Sequence, residues 1–155
     1  MSSFIRKLVK EEKIKISQPS EDVCKSYLLK SEKSLISSKT LLDIGNLDDT
    51  TALTYFSMYY SVLALLYKVG IKCENHAGTI ILIKELFGID NSEIQLAKKE
   101  RVDKQYYVDF EATKEDVNQG IKIAEEFNAI IKQKIDTIKE TESKKILKEF
   151  KEEYF

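Results

Sequence analysis

The sequence has few of the residues that interrupt helices. It contains one proline, Pro19, and five glycines in 155 residues, and no alternation of apolar and polar residues bounded by turns lies between them. Long uninterrupted segments of this kind favour helices. A chain of this length can also bury a core without a disulfide or a metal. We therefore expect residues 1–155 to form a single all-α domain.

Cysteine and histidine are also scarce. Cys24 and Cys73 lie far apart without a pairing spacing, and residues 1–16 are too charged for the apolar part of a signal peptide, so we expect a cytoplasmic protein. Cys73 and His76 have a C-x-x-H spacing, but a structural zinc site needs four ligands and only Cys24 remains to help. We expect neither a metal nor a cofactor.

The chain has no excess of either charge. Lysine and arginine number 25 and aspartate and glutamate 26, which gives a formal net charge of −1 and a pI near 6.0. A protein with this balance has no overall basic field that attracts nucleic acid. Any site for a nucleotide or RNA must therefore be local.

One long stretch carries no charge at all. Residues 50–67 read TTALTYFSMYYSVLALLY, and apolar or aromatic side chains occupy every side of a helix drawn through them. Such a helix must be enclosed, which predicts a central helix with Phe56, Leu63 and Leu66 in the core. Its length is near that of a membrane span, but its tyrosines, threonines and serines are spread along it. We therefore predict a buried core helix and no membrane association.

Caps and apolar spacing predict an antiparallel, up-and-down bundle of about five helices. Ser20, Asn75 and Thr113 are the expected N-caps of the first, third and fifth helices, and Gly70 and Gly88 are expected to end the second and third. The predicted helices are 21–44, 50–67, 76–87, about 91–108 and 114–138. Residues 1–18 are expected to be partly frayed rather than a docking helix, and residues 140–155 an amphipathic tail.

The single histidine is the first candidate functional residue. The Asn75 cap places His76 in the first turn of a helix, where the dipole disfavours the protonated imidazole. Lys72 lies just upstream, and Gly78 would let a ligand approach the backbone N–H groups, which predicts an anion site. The competing interpretation is a surface or capping histidine, and spacing alone favours it.

Two further patterns each allow two interpretations. Tyr55 and Tyr59 could stack on bases if exposed, but aromatic residues at helical spacing are more often core or interface, and we predict core. On the fourth helix the polar Arg101 and Gln105 share a face with the apolar Ile94. That face is either a groove lining or a loosely packed surface.

The order of five segments resembles the HEPN family, the "higher eukaryotes and prokaryotes nucleotide-binding" domain. The segments are KLVKEEKI, YLLKSEKSLISSKTLLDIGNLDDT, TYFSMYYSVLALLYKVGIKCENHAGTIILIKELFG, RVDKQYYVDF and EATKEDVNQGIKIAEEFNAIIKQKI. The most specific parts are the tyrosine-rich central helix followed by Gly70 and then His76-Ala77-Gly78, and residues 101–107. The resemblance is to the small standalone prokaryotic members often encoded beside a minimal nucleotidyltransferase.

The resemblance implies a helical bundle that forms a homodimer and takes part in a toxin-antitoxin-like module with that nucleotidyltransferase. Active relatives cut RNA without a metal through an Arg-x4-6-His motif. In this chain positions 69–71 hold Val-Gly-Ile where the motif needs arginine before His76, and Gln105 stands where related chains carry aspartate. The motif does not predict ribonuclease activity here, and nucleotide or RNA binding is the expectation that survives.

Two hypotheses follow from these residues and from the resemblance. The first is a nucleotide- or RNA-binding partner of a nucleotidyltransferase, and the alternative is a non-catalytic homodimer that serves as a protein interaction module. The first requires His76, Lys72 and Arg101 to converge in one cleft. The predicted site consists of His76 and Arg101 as catalytic candidates and of Lys72, Asn75, Gly78 and Gln105 as ligand-binding candidates.

Overall fold

The computed structural model describes residues 2–106 and 112–155, and for Ser2 and residues 104–106 it describes the backbone alone. The helices in these ranges are α1 (Ser2–Lys10), α2 (Glu21–Asp43), α3 (Leu47–Val69), α4 (His76–Phe87), α5 (Ser92–Tyr106), α6 (Lys114–Thr137) and α7 (Glu140–Tyr154). Two short strands, β1 (Ile14–Ile16) and β2 (Ile71–Cys73), complete the described elements. The all-α helical bundle is confirmed, with seven described helices instead of about five because both terminal segments are also helical.

Helix α3 is the centre of the fold. It packs most extensively against α2 and then α6, and α4, α5 and β2 cover its remaining sides. Leu63 and Leu66 are buried as predicted, whereas Phe56 is only partly buried because it lies at the rim of the core. No helix in the described ranges combines the length and apolar character that crossing a bilayer requires.

The predicted helix caps are confirmed. Ser20 accepts a hydrogen bond from the Val23 N–H, and Thr113 forms a capping box with Asp116. Gly70 ends α3 with a φ of 95°, a left-handed conformation that favours glycine. Short-range chemistry therefore sets the boundaries of the main helices.

The strand pair was not predicted, and the expectation that no strand is present was wrong for these six residues. β1 and β2 are antiparallel, with Ile14 opposite Cys73 and Lys15 opposite Lys72. Each strand has three residues, so its alternation is too short to recognise in the sequence. The pairing connects the N-terminal segment to the turn that leads into α4.

Both terminal helices pack onto the bundle. Ile5 and Leu8 of α1 are 0% and 3% exposed, and Phe150 of α7 is 2% exposed. Residues 2–10 thus form a docking helix, and the expectation that this segment is partly frayed was wrong. Leu8 reaches the first turn of α4, which brings α1 to the edge of the candidate site.

Candidate functional site

His76 occupies the first turn of α4, as predicted. The Asn75 side chain caps this helix by accepting a hydrogen bond from the Gly78 N–H at 2.8 Å. The cap fixes the direction in which α4 leaves β2 and turns the imidazole toward α3. His76 is half-buried there, against three aromatic residues of the central helix.

Two tyrosines of α3 hold the imidazole ring. The Tyr59 ring stacks on it with centroids 4.1 Å apart and planes 3° from parallel, and the Tyr55 hydroxyl oxygen lies 2.6 Å from Nδ1. Both tyrosines are buried, as predicted for core residues. Their role in placing His76 was not predicted, although their i, i+4 spacing already put them on one face of the helix.

The Tyr55 contact determines which ring nitrogen of His76 can meet a ligand. Burial raises the pKa of Tyr55, so its hydroxyl stays protonated at neutral pH, and we assign it as the donor to Nδ1. In a neutral imidazole whose Nδ1 accepts a hydrogen bond, Nε2 carries the proton. His76 therefore presents an N–H donor, and no described residue hydrogen-bonds with Nε2.

Arg101 reaches the same place from α5. Its guanidinium carbon lies 4.7 Å from the Phe56 ring centroid and 5.6 Å from that of Tyr55. Ile94 and Ala97, on the same face of α5 as Arg101, pack on the core. Arg101 therefore lies at the edge of a packed helix face rather than on a loosely packed surface. The helix that follows α4 thus returns its C-terminal half to the start of α4.

The electrostatic environment keeps His76 neutral. The pKa of His76 lies below its ordinary 6.5, first because burial disfavours the charged ring and then because Arg101 and Lys98 repel it. The dipole of α4 favours the same neutral state, as expected from the sequence. Lys98 was not a predicted site residue, although its position one turn before Arg101 on α5 places it on the same side.

The remaining predicted ligand-binding residues have other partners. Lys72 lies in β2 and pairs with Glu74 at 2.8 Å, and it is not among the charges that act on His76. Of the three residues expected to converge, His76 and Arg101 therefore come together without Lys72. Gly78 is buried, and a Cβ at this position would lie 2.6 Å from Leu8 Cδ1. The missing side chain therefore makes room for Leu8 of α1 rather than for a ligand. The Gln105 side chain lies outside the described residues.

The Cys73 and His76 pair gains no third metal ligand in the described ranges. No group of three or more histidine, cysteine, aspartate or glutamate side chains there could hold a metal ion. Cys73 is buried, and its thiol donates to the Asn75 carbonyl oxygen at 3.4 Å. The groups near the start of α4 are the His76 imidazole, the Arg101 guanidinium on the rings of Phe56 and Tyr55, and the Lys98 ammonium, which repels a charged imidazole.

The sequence matches a known protein family. A search of curated proteins gives no match. A comparison with models of protein families matches residues 24–135 to the HEPN domain. The matched region is more than half of the chain and contains His76, Arg101 and the aromatic residues between them. The chain therefore belongs to the HEPN domain family.

Proposed function

We propose that the protein binds a nucleotide or RNA at the His76–Arg101 site. Membership of the HEPN family supports a nucleotide- or RNA-related function in general. The observation that carries the proposal is the placement of Arg101 on the rings of Phe56 and Tyr55, beside the neutral His76. A guanidinium held on an aromatic surface has its N–H groups available for a phosphate.

The charges around the site suit an anion. Arg101 and Lys98 form no ion pair with a carboxylate among the described residues. Both cations lower the pKa of His76, so they lie near enough to the imidazole to repel its charged form. A phosphate at this position would gain two cations and one neutral donor.

The Tyr55 contact favours binding over cleavage. A general base for the ribose hydroxyl needs an unprotonated ring nitrogen toward the ligand, but Nδ1 faces Tyr55, and in the assigned tautomer Nε2 carries the proton. In the Arg-x4-6-His motif the arginine precedes the histidine by a few residues, whereas Arg101 follows His76 and lies on α5. It could take the place of the motif arginine in three dimensions but not in the sequence. His76 and Arg101 therefore act first as ligand-binding groups, and metal-independent cleavage is the catalytic extension of the same proposal.

RNA binding and cleavage can be measured together. Fluorescence anisotropy with a short labelled single-stranded RNA would compare the wild type with Arg101→Ala and with Lys132→Ala, an exposed control on α6 that loses the same charge. We expect Arg101→Ala to raise the Kd at least about tenfold and to lower the salt slope by about 1, and Lys132→Ala to do neither. Equal affinity in the wild type and Arg101→Ala would exclude this site.

Gel analysis of the same samples in a chelator tests cleavage. We expect intact RNA in every sample. Cleavage by the wild type that is lost in both His76→Ala and Arg101→Ala would instead assign them catalytic roles.

The family resemblance suggests a protein partner. We propose a minimal nucleotidyltransferase, within a toxin-antitoxin-like module. A neighbouring gene for such an enzyme, and its co-purification with this chain, would support the pairing. Unrelated neighbours and no co-purifying nucleotidyltransferase would remove that support.

A homodimeric interaction module is the second candidate, and one surface favours it. Leu29 and Ile36 of α2 are 50% and 65% exposed and lie two turns apart on one side of the helix. A partner is not needed to cover α3, because other helices of the same chain enclose it.

Light scattering tests the dimer directly. A dimer would give twice the 17.9 kDa mass of one chain, and Ile36→Lys would reduce the measured mass to that of a single chain. A mass of one chain at micromolar concentration would exclude this candidate.

A further inference from the structure

A groove between α4 and α5 opens beside the candidate site. Its volume is about 410 Å³, within the range of pockets that hold small ligands. Ala77, Ile80 and Ile81 of α4 and Val102 of α5 give the groove an apolar floor. An apolar floor suits the face of a flat ring.

The rim of the groove is cationic. Lys98 and Lys99 line it, and neither forms an ion pair with a carboxylate among the described residues. Gln95 also lines the groove, and its amide can donate to and accept from the edge of a base. An apolar floor with a cationic rim is complementary to a molecule that has one flat ring and one anionic group.

The groove lies beside the His76–Arg101 site and shares Lys98 with it. Ala77 follows His76 in the chain, Val102 follows Arg101, and Lys98 both lines the groove and acts on the imidazole. A second cavity, between α3, α5 and α6, has a volume of about 290 Å³. Its lining includes Glu93, Glu100 and Asp116, which would repel a phosphate. Charge therefore favours the α4–α5 groove.

We propose that the α4–α5 groove binds the base of a nucleotide whose phosphate lies at Arg101 and Lys98. This inference rests on the proposed function, because it adds a base subsite to the phosphate site. The base lies on Ile81 and Val102, and the ribose spans from the groove to the Nε2–H of His76. RNA and free nucleotides share this chemistry, so mononucleotides can test it.

Calorimetry separates the base subsite from the phosphate site. The probes are the four nucleoside 5′-monophosphates and ribose 5-phosphate, which keeps the phosphate and lacks the base. We expect at least one nucleotide to bind the wild type about tenfold more tightly than ribose 5-phosphate does. Val102→Phe, which fills the groove without changing charge, should remove that advantage and leave ribose 5-phosphate unaffected. Leu96→Phe, on the exposed side of the same helix, is the matched control and should change neither value.

The result that overturns the inference is a nucleotide affinity that Val102→Phe leaves unchanged while Arg101→Ala lowers it, since the phosphate site would then stand without this base subsite. A change in the light-scattering mass of Val102→Phe with unchanged nucleotide affinity would assign the groove to a protein partner and also overturn it. No binding of any probe to the wild type would remove both proposals.

Methyl NMR tests the contact without a substitution. We expect nuclear Overhauser effects between the base protons of the bound nucleotide and the methyl groups of Ile81 and Val102. Effects to methyl groups elsewhere, and none to these two, would contradict the subsite even if Val102→Phe failed to fold.

Discussion

His76 is fixed by contacts of two kinds from one helix. Tyr59 holds the face of the imidazole and Tyr55 holds one of its nitrogens, and both tyrosines are buried in the core. Because α3 is enclosed by the rest of the chain, these contacts give the ring one orientation. The orientation leaves Nε2 as the nitrogen that meets a ligand.

The first prediction concerns the tautomer of His76. Because this is the only histidine, its ring nitrogens are the only imidazole signals in a ¹⁵N spectrum. We expect the wild type at pH 7.5 to carry its proton on Nε2, since the Tyr55 hydroxyl is assigned as the donor to Nδ1. Tyr55→Phe removes the donor and should give a mixture of tautomers. Tyr27→Phe is the control, because Tyr27 stacks on Tyr60 and Tyr67. A wild-type proton on Nδ1 would contradict the assigned direction of the hydrogen bond.

The second prediction concerns the pKa of His76. We expect an NMR titration to place it below 6.5, and Arg101→Ala to raise it because a repelling cation is removed. The value should remain below 6.5 in this variant, since burial is the larger cause of the shift. Lys132→Ala should leave the pKa unchanged. An unaltered pKa in Arg101→Ala would show that the guanidinium does not act on the imidazole.

Local chemistry allowed part of the site to be predicted. The Asn75 cap and the helical period placed His76 in a first turn and Arg101 on a partly apolar face, and both placements hold. Lys72 and Gly78 acquire their partners from distant segments of the chain: the pairing with β1 sets the direction of the Lys72 strand, and Leu8 fills the space beside Gly78. Such contacts depend on tertiary structure that the local pattern does not contain.

Helix α1 packs against the first turn of α4, which carries His76. Leu8 contacts the space beside Gly78, two residues after His76. The same helix buries Ile5 in the core. The N-terminal helix thus packs against the first turn of α4 and helps to hold it in place.

The third prediction compares two glycines in helices. A Cβ at Gly78 would lie 2.6 Å from Leu8 Cδ1, whereas a Cβ at Gly120 of α6 has no atom within 4 Å. Gly78→Ala should lower the free energy of unfolding by about 1–3 kcal/mol through overpacking. Gly120→Ala should raise it by about 0.5–1 kcal/mol through helix propensity. Urea unfolding measures both.

A double variant identifies the cause of the Gly78 effect. Leu8→Ala should make Gly78→Ala much less costly, because the two residues share one contact. Additive effects of the two substitutions, or equal effects of the two glycine substitutions, would show that α1 does not press on α4.

The elements differ in how far the sequence predicted them. Ser20, Asn75 and Thr113 bond to N–H groups three residues away, so their helices could be located from short motifs. β1 and β2 depend on each other across more than fifty residues of chain, and neither is long enough to show a period. The docking of α1 likewise depends on a contact between distant residues, because Leu8 packs into the space beside Gly78.

The fourth prediction applies to the stability of the whole molecule. The folded protein binds the His76 proton less tightly than the unfolded chain does, because the pKa of this residue is lowered. The stabilisation is therefore complete above pH 6.5 and is lost as the pH falls from 6.5 through the folded pKa. Urea unfolding of the wild type should show stability rising with pH in this window. His76→Asn should remove that rise, and the same slope in both proteins would contradict the lowered pKa.

At the scale of the whole molecule, our central claim is that RNA or a nucleotide binds where α3, α4 and α5 meet. An NMR titration with a short single-stranded RNA, followed through the ring signals of the single histidine, tests this claim most directly. We expect the His76 signals to shift saturably in the wild type and in Lys132→Ala, and to need at least about tenfold more RNA in Arg101→Ala. RNA binding that leaves the His76 signals unchanged, or equal titrations of the wild type and Arg101→Ala, would contradict it.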